Sequence, residues 1–255
     1  MRAKTSRPGG APTVVCVHGI GYDSLASFYL TLASPLSEAG ADVLTYDLRG
    51  HGRSERPATG YTLGHFLNDL EVLLDQLDVT GPVHLVGNSF GGTVAFSFAA
   101  NHPDRVASVI GIESEPATTV WSEKMAVAMA NTVKVMGDQD YLDWVAEHFG
   151  KHHARLTKAA GEGIGRTSIV AELSQGPLLT ENDLARITCP VLSIVGSEGY
   201  QRDDLDAVSS LLADCRTEVI DGQDHSVLVQ RHHAVRKLLL AWIDEHEPAW
   251  ADGAA

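Results

Sequence analysis

The stretch Val83-His84-Leu85-Val86-Gly87-Asn88-Ser89-Phe90-Gly91-Gly92-Thr93 decides how the rest of the chain is read. Residues 83–86 form a short apolar run of the kind that makes a buried strand. Residues 93–100 are mostly small and read as a tightly packed helix. Between the two, the chain must turn sharply at Ser89. A serine hydroxyl is a poor nucleophile until a base removes its proton, and it must protrude to meet a carbonyl. A strand-to-helix turn makes it protrude, at a cost in backbone strain. The residues two before and two after must then be very small, because strand and helix nearly collide. Gly87 and Gly91 meet that demand, and Gly92 adds room for close packing. The N-terminus of the following helix aims free N–H groups at the turn. The Phe90 N–H is then placed to stabilise an oxyanion.

Working outward, strands and helices alternate. Apolar runs at 13–17, 42–46, 83–86, 106–112, 190–196 and 216–220 predict strands. Helical spacing covers 24–39, which stops at Gly40, and 62–78, where Leu63, Phe66, Leu67, Leu70, Leu73, Leu74 and Leu77 make one apolar face. Further helices are predicted over roughly 203–213 and 227–246. This alternation predicts an α/β fold with a mostly parallel, doubly wound sheet. From 116 to 180 no strand pattern appears. Residues 121–136 and 140–156 read as amphipathic helices, 161–165 as a flexible glycine link, and 169–173 as a short helix. The expected organisation is a flexible lead-in (1–12), a core (13–115 and 181–247), a helical cap (116–180) and a flexible tail (248–255). Inserted there, the cap would lie over the carboxyl ends of the strands, where such sheets bind ligands.

Bulk properties narrow the function. The 255 residues suit one α/β domain with an insertion, and the net charge is −14. Nucleic acid and anionic membrane surfaces are bound by clustered Lys and Arg, so neither is an expected partner. No apolar run approaches the length of a membrane span, and residues 1–12 lack the apolar core of a secretory signal. Three cysteines, Cys16, Cys189 and Cys215, make no disulfide framework. A cytoplasmic protein, monomer or homodimer, acting on a small molecule is the expectation.

Other residues can be weighed in the same way. His148 and His152 are spaced i, i+4, but no third ligand accompanies them, so a solvated helix face is preferred to a metal site. Gly161, Gly163 and Gly165 do not follow a strand and form no dinucleotide fingerprint. No cofactor or metal is implied. Trp121, Met125, Met129, Val133 and Met136 recur at helical spacing and read as packing between insertion and core, with some lining a pocket.

Four features stand together: His18-Gly19-Ile20-Gly21 after the first strand, the Asp47-Leu48-Arg49-Gly50-His51-Gly52-Arg53-Ser54 turn, the Gly87–Gly92 elbow, and His225 after the last strand. In combination they resemble the α/β-hydrolase superfamily over nearly the whole chain outside 116–180. The resemblance implies a serine–acid–histidine triad in that chain order. Ser89 would be the nucleophile and His225 its base, since an imidazole can accept and return a proton near neutrality. The Phe90 and Ile20 N–H groups would form the oxyanion hole, with His18 structural. The acid departs from the commonest pattern. Most relatives place an aspartate three residues after the glycine that ends the next-to-last strand. Here that glycine is Gly196 and the position is Gly199. Some branches carry the acid after the strand that follows the nucleophile helix, which points to Glu113. Glu198 is the alternative, followed by Glu115, Asp203 and Asp204. The leading expectation is a hydrolase of a carboxylic ester, lactone or thioester. The same site would also serve a carbon–carbon bond hydrolase, a lyase or a cyclase, and the same fold a small-molecule receptor.

Overall fold

The structure is a computed structural model that describes residues 2–3, 11–199 and 207–247. Most of the predicted lead-in, the tail 248–255, Asp203 and Asp204 lie outside the described residues, and of the helix expected at 203–213 only 207–209 are helical, residues 210–213 forming turns and bends.

Among the described residues, seven strands form one sheet in the order β1-β3-β2-β4-β5-β6-β7. They are β1 (Arg2–Ala3), β2 (Thr13–Val17), β3 (Asp42–Thr45), β4 (Val83–Asn88), β5 (Val106–Ile112), β6 (Val191–Gly196) and β7 (Cys215–Ile220). All neighbours pair in parallel except β1, which runs antiparallel to β3. Alternate residues of each strand face opposite sides, and each side has its own core. Val15, Val17, Leu85 and Val109 pack into one cluster. Val14, Cys16, Val86, Ile110 and Ile194 pack into the other. Being covered on both faces explains why these strands read as continuous apolar runs.

The helices are α1 (Leu25–Phe28), running through a π-helical turn at Tyr29–Ala33 into α2 (Ser34–Glu38), then α3 (Leu63–Gln76) and α4 (Phe90–Asn101). The insertion contributes α5 (Thr119–Met136), α6 (Gln139–Phe149), α7 (Lys151–Gly165) and α8 (Ile169–Glu172), followed by α9 (Glu181–Leu184). The chain ends in α10 (Val227–Gln230) and α11 (His232–His246). In α3 the buried residues are Leu63, Phe66, Leu67, Leu70 and Leu74, the apolar face of the sequence pattern. In α4 every residue from Phe90 to Ala100 is buried, which is why it shows no polar face. No helix among the described residues is long and apolar enough to cross a membrane.

Two expectations in the insertion are corrected. Residues 140–156 do not form one helix: Gly150, with φ +90°, separates α6 from α7. Residues 161–165 are not a flexible link but the last turns of α7. A Cβ at Gly161 would approach Met136 Cβ to 2.9 Å, so glycine there lets α7 pack closely on α5. Ile164, beside it, is buried.

Sheet order places the chemistry. β4 lies between β2 and β5, with Val17 opposite Gly87 and Asn88 opposite Ile112. The loop after β2 and the first residues after β5 therefore flank Ser89. The loop after β7 approaches from the side of β6.

Candidate active site

Ser89 sits at φ 53°, ψ −122°, between β4 and α4. Such a conformation costs a non-glycine residue on the order of 1–3 kcal/mol, so its surroundings must over-determine it. Its N–H donates to Ile112 O at 2.8 Å. The flanking glycines are dictated by contact. A Cβ on Gly87 would lie 2.2 Å from Gly92 N, and one on Gly91 would lie 1.9 Å from Val17 O. Glycine in a helix costs roughly 0.5–1 kcal/mol relative to alanine. That is small beside an overlap of this size, so the elbow forces the residue choice.

The Ser89 hydroxyl is 2.9 Å from His225 Nε2. The other ring nitrogen, Nδ1, is 3.3 Å from Glu113 Oε2. His225 stands in the loop after β7 with its side chain 37% exposed, while Glu113 is fully buried. Glu113 is held from both ends. Its backbone, at φ 50°, donates to Ile194 O at 2.8 Å, and its Oε1 accepts the Gly196 N–H. The structure thus brings Ser89, His225 and Glu113 into one connected line.

The glycine at position 199 has a physical reason. A Cβ there would lie 2.7 Å from Glu113 Oε2. The Glu113 carboxylate fills the space a side chain at 199 would need. Glu198 is exposed, with its backbone N–H donated to Gln223 O at 2.9 Å. Glu115 is 3.4 Å from Lys124 Nζ.

The two N–H groups read as oxyanion donors lie on the expected elements. Phe90 opens α4, and its ring meets Phe66 edge-on at 4.9 Å and stacks on Trp121 at 6.3 Å. Ile20 lies in the loop after β2. The N–H groups on either side of it are already bonded: Gly19 N–H donates to Asp23 Oδ2 at 2.7 Å and Gly21 N–H to His51 Nε2 at 3.0 Å. Among the described residues, no protein acceptor takes the N–H of Ile20 or Phe90.

This loop rests on histidines. His18 is buried; its Nδ1–H donates to Gly19 O at 2.6 Å and its Nε2 accepts the Leu48 N–H at 2.9 Å. Because His51 Nε2 accepts from Gly21, its Nδ1 carries the proton donated to Arg49 O at 2.9 Å. Burial lowers the pKa of both rings, that of His51 to about 4, so both are neutral near pH 7. Asp47 builds the turn that presents His51, accepting from the Leu25 and Arg53 N–H groups at 2.9 Å each. Sequence reasoning placed His51 in the turn motif but gave neither it nor Asp23 a role in holding the loop. Gly50-His51-Gly52 was the available signal for the first. Asp23 carried none, because its partners, Gly19 and Asn88, are matched only in space.

A cavity of about 30 Å³ adjoins Ser89, with Trp121 and Met125 of α5 in its wall. Trp121, Met129 and Met136 are buried as packing residues. His148 and His152 fall on different helices, α6 and α7, and are exposed. No group of three His, Cys, Asp or Glu among the described residues could hold a metal ion. Cys16 and Cys189 are buried free thiols and Cys215 a partly buried one.

With this geometry in view, comparison with known proteins is direct. The family described as the alpha/beta hydrolase fold matches residues 12–157, more than half of the chain. The chain belongs to that family. It is 27% identical to a non-heme chloroperoxidase of Streptomyces lividans over 233 residues, which cover 80% of this chain and 82% of the relative. It is 25% identical to a proline iminopeptidase of Lactobacillus helveticus, covering 92% of this chain and 91% of that one. Among solved structures, it is similar to a carboxylesterase of Nitrososphaera gargenis (TM-score 0.81, 22% identity, 98% and 94% of the two chains covered). It is also similar to an enol-lactonase of Burkholderia xenovorans LB400 (TM-score 0.72, 22% identity, 95% of each chain covered). At such identities the structural likeness speaks for the fold.

Proposed function

We propose that the chain is a serine hydrolase that cleaves a carboxylic ester, lactone or thioester of a small-to-medium, largely apolar molecule. The observation that carries this reading is the unbroken line from Ser89 Oγ to His225 Nε2 (2.9 Å) and from His225 Nδ1 to Glu113 Oε2 (3.3 Å). Membership of the alpha/beta hydrolase fold family supports it, as do relatives named for peptidase, esterase and lactonase activity.

In this reading Ser89 Oγ attacks the carbonyl carbon while His225 Nε2 takes its proton. Buried Glu113 accepts the Nδ1–H, fixes the tautomer and stabilises the imidazolium. The N–H groups of Phe90 and Ile20 receive the negative charge that develops on the carbonyl oxygen. Collapse of the tetrahedral intermediate breaks the bond to the leaving group, which takes the proton from His225. Water then attacks the acyl-enzyme, gives its proton to His225 and releases the acid. The helices of 119–172 act as a cap that shapes the substrate's space.

Ser89→Ala tests the assignment. It should lower kcat for a p-nitrophenyl acyl ester by on the order of 10⁴-fold or more and abolish covalent labelling by a fluorophosphonate. Labelling that survives intact would overturn it.

A further inference from the structure

We infer that the enzyme accepts only short acyl groups, acetyl to propionyl, and that Trp121 of α5 sets this limit. The inference rests on the proposed serine-hydrolase reading and adds the substrate class.

At the tetrahedral stage the reacting carbon carries four substituents. One is Ser89 Oγ. The oxyanion must lie toward the Phe90 and Ile20 N–H groups. The leaving group must lie near His225 Nε2, which protonates it. One direction remains for the acyl chain, and we assign it to the cavity beside Ser89 that is lined by Phe90, Trp121 and Met125. That cavity measures about 30 Å³. A water-sized group needs about 10–15 Å³ on this measure, so the space takes two or three such groups.

The walls do not yield easily. Trp121 is 3% exposed and stacks on Phe90, whose ring is in turn pressed edge-on against Phe66. Moving the indole would therefore disturb the residue that carries an oxyanion N–H. Glu115, 6% exposed and paired at 3.4 Å with the partly exposed Lys124, forms another wall. Toward these two walls a longer chain would have to displace the indole or the Glu115 carboxylate. Packed interiors resist added methylenes.

A larger cavity of about 260 Å³ lies beyond the oxyanion loop, beside Gly21, Asp23, His51 and Arg56. Ser89 does not line it. It is the competing destination for an acyl chain, so chain length separates the two.

The test is a series of p-nitrophenyl esters from acetate to dodecanoate, run on the full-length chain beside a fluorophosphonate label. Since a misplaced methylene changes discrimination by roughly 10–200-fold, kcat/KM should fall at least about tenfold between propionate and hexanoate. Trp121→Ala should raise the octanoate-to-acetate ratio of kcat/KM by about tenfold or more. Met125→Ala, at the same wall, should raise it less, and it keeps the test open if the tryptophan variant fails to fold. Ser89-dependent turnover that is flat with chain length, or that peaks at octanoate in the unmodified enzyme, overturns the inference and leaves the serine-hydrolase reading standing. No turnover of any ester together with no label overturns that reading instead.

Discussion

At Gly91, in α4, an added Cβ would lie 1.9 Å from Val17 O; at Gly163, in α7, it would meet nothing within 4 Å. Both are helical glycines, yet only the first is imposed by its neighbours. The contrast extends across the regions they belong to. Around the elbow, the residues from Phe90 to Ala100 are buried, and the Gly19, Gly21 and Leu48 N–H groups of the neighbouring loops are hydrogen-bonded to side chains. The insertion leaves Val127 63%, Leu156 50% and Trp144 46% exposed. One region packs its reacting groups among buried neighbours. The other surrounds them with replaceable surface. Such a division lets a fixed nucleophile serve different substrates through changes in the helices above it.

The sharpest way to break the contrast is through the buried carboxylate. Glu113→Gln keeps the shape but can no longer favour the correct imidazole tautomer. It should lower kcat by roughly 10³–10⁴-fold. Glu198→Gln, at an exposed loop position, should stay within about twofold. Steady-state kinetics on p-nitrophenyl acetate decides. If Glu198→Gln is the dead variant, the acid is not where the core holds it most firmly.

The next effect is smaller and concerns the oxyanion loop. His51→Phe removes the acceptor for the Gly21 N–H, next to Ile20, while keeping an aromatic ring of similar size. Acting through the loop rather than on the substrate, it should lower kcat roughly tenfold and change KM less. A pH readout separates positioning from simple damage. Burial lowers the His51 pKa from 6.5 to about 4. In that window the unfolded chain takes up a proton that the folded one refuses. The stability His51 contributes is therefore complete above about pH 6.5 and lost as pH falls through about 4. Thermal melts of the wild type should show this slope, shared with His84, whose pKa burial also lowers to about 4, and the variant should show a shallower one. An unchanged slope would mean that His51 does not remain neutral in the folded protein.

What could be read from sequence follows the same division. The span of β5 was legible to the residue, because parallel strands covered on both faces appear as uninterrupted apolar runs. That Ser89 and His225 would stand together could be read from local motifs tied to strand ends. That Glu113 would join them was legible only with Glu198 still open, because its contacts with Gly196 and His225 reach across 83 and 112 residues of chain. The contacts of His51 and Asp23 were not legible for a related reason: most of their partners are backbone groups, which leave no trace in residue type. In the insertion, spacing alone missed the break at Gly150 and misread 161–165. A glycine that ends a helix at φ +90° and one that lets two helices touch are identical letters.

The smallest effect tests the permissive side directly. Gly163 lies inside α7 with open space where a side chain would go. Alanine removes backbone freedom from the unfolded chain and should stabilise by roughly 0.5–1 kcal/mol. For a domain of this size that corresponds to a rise in Tm of about 1–4 °C, with kcat on short esters little changed. Gly163 also borders the larger cavity beside the oxyanion loop, so the same variant asks whether that cavity is used. A loss of activity without a loss of stability would mean that substrate reaches α7. The insertion would then be bound by its contacts no less tightly than the elbow is.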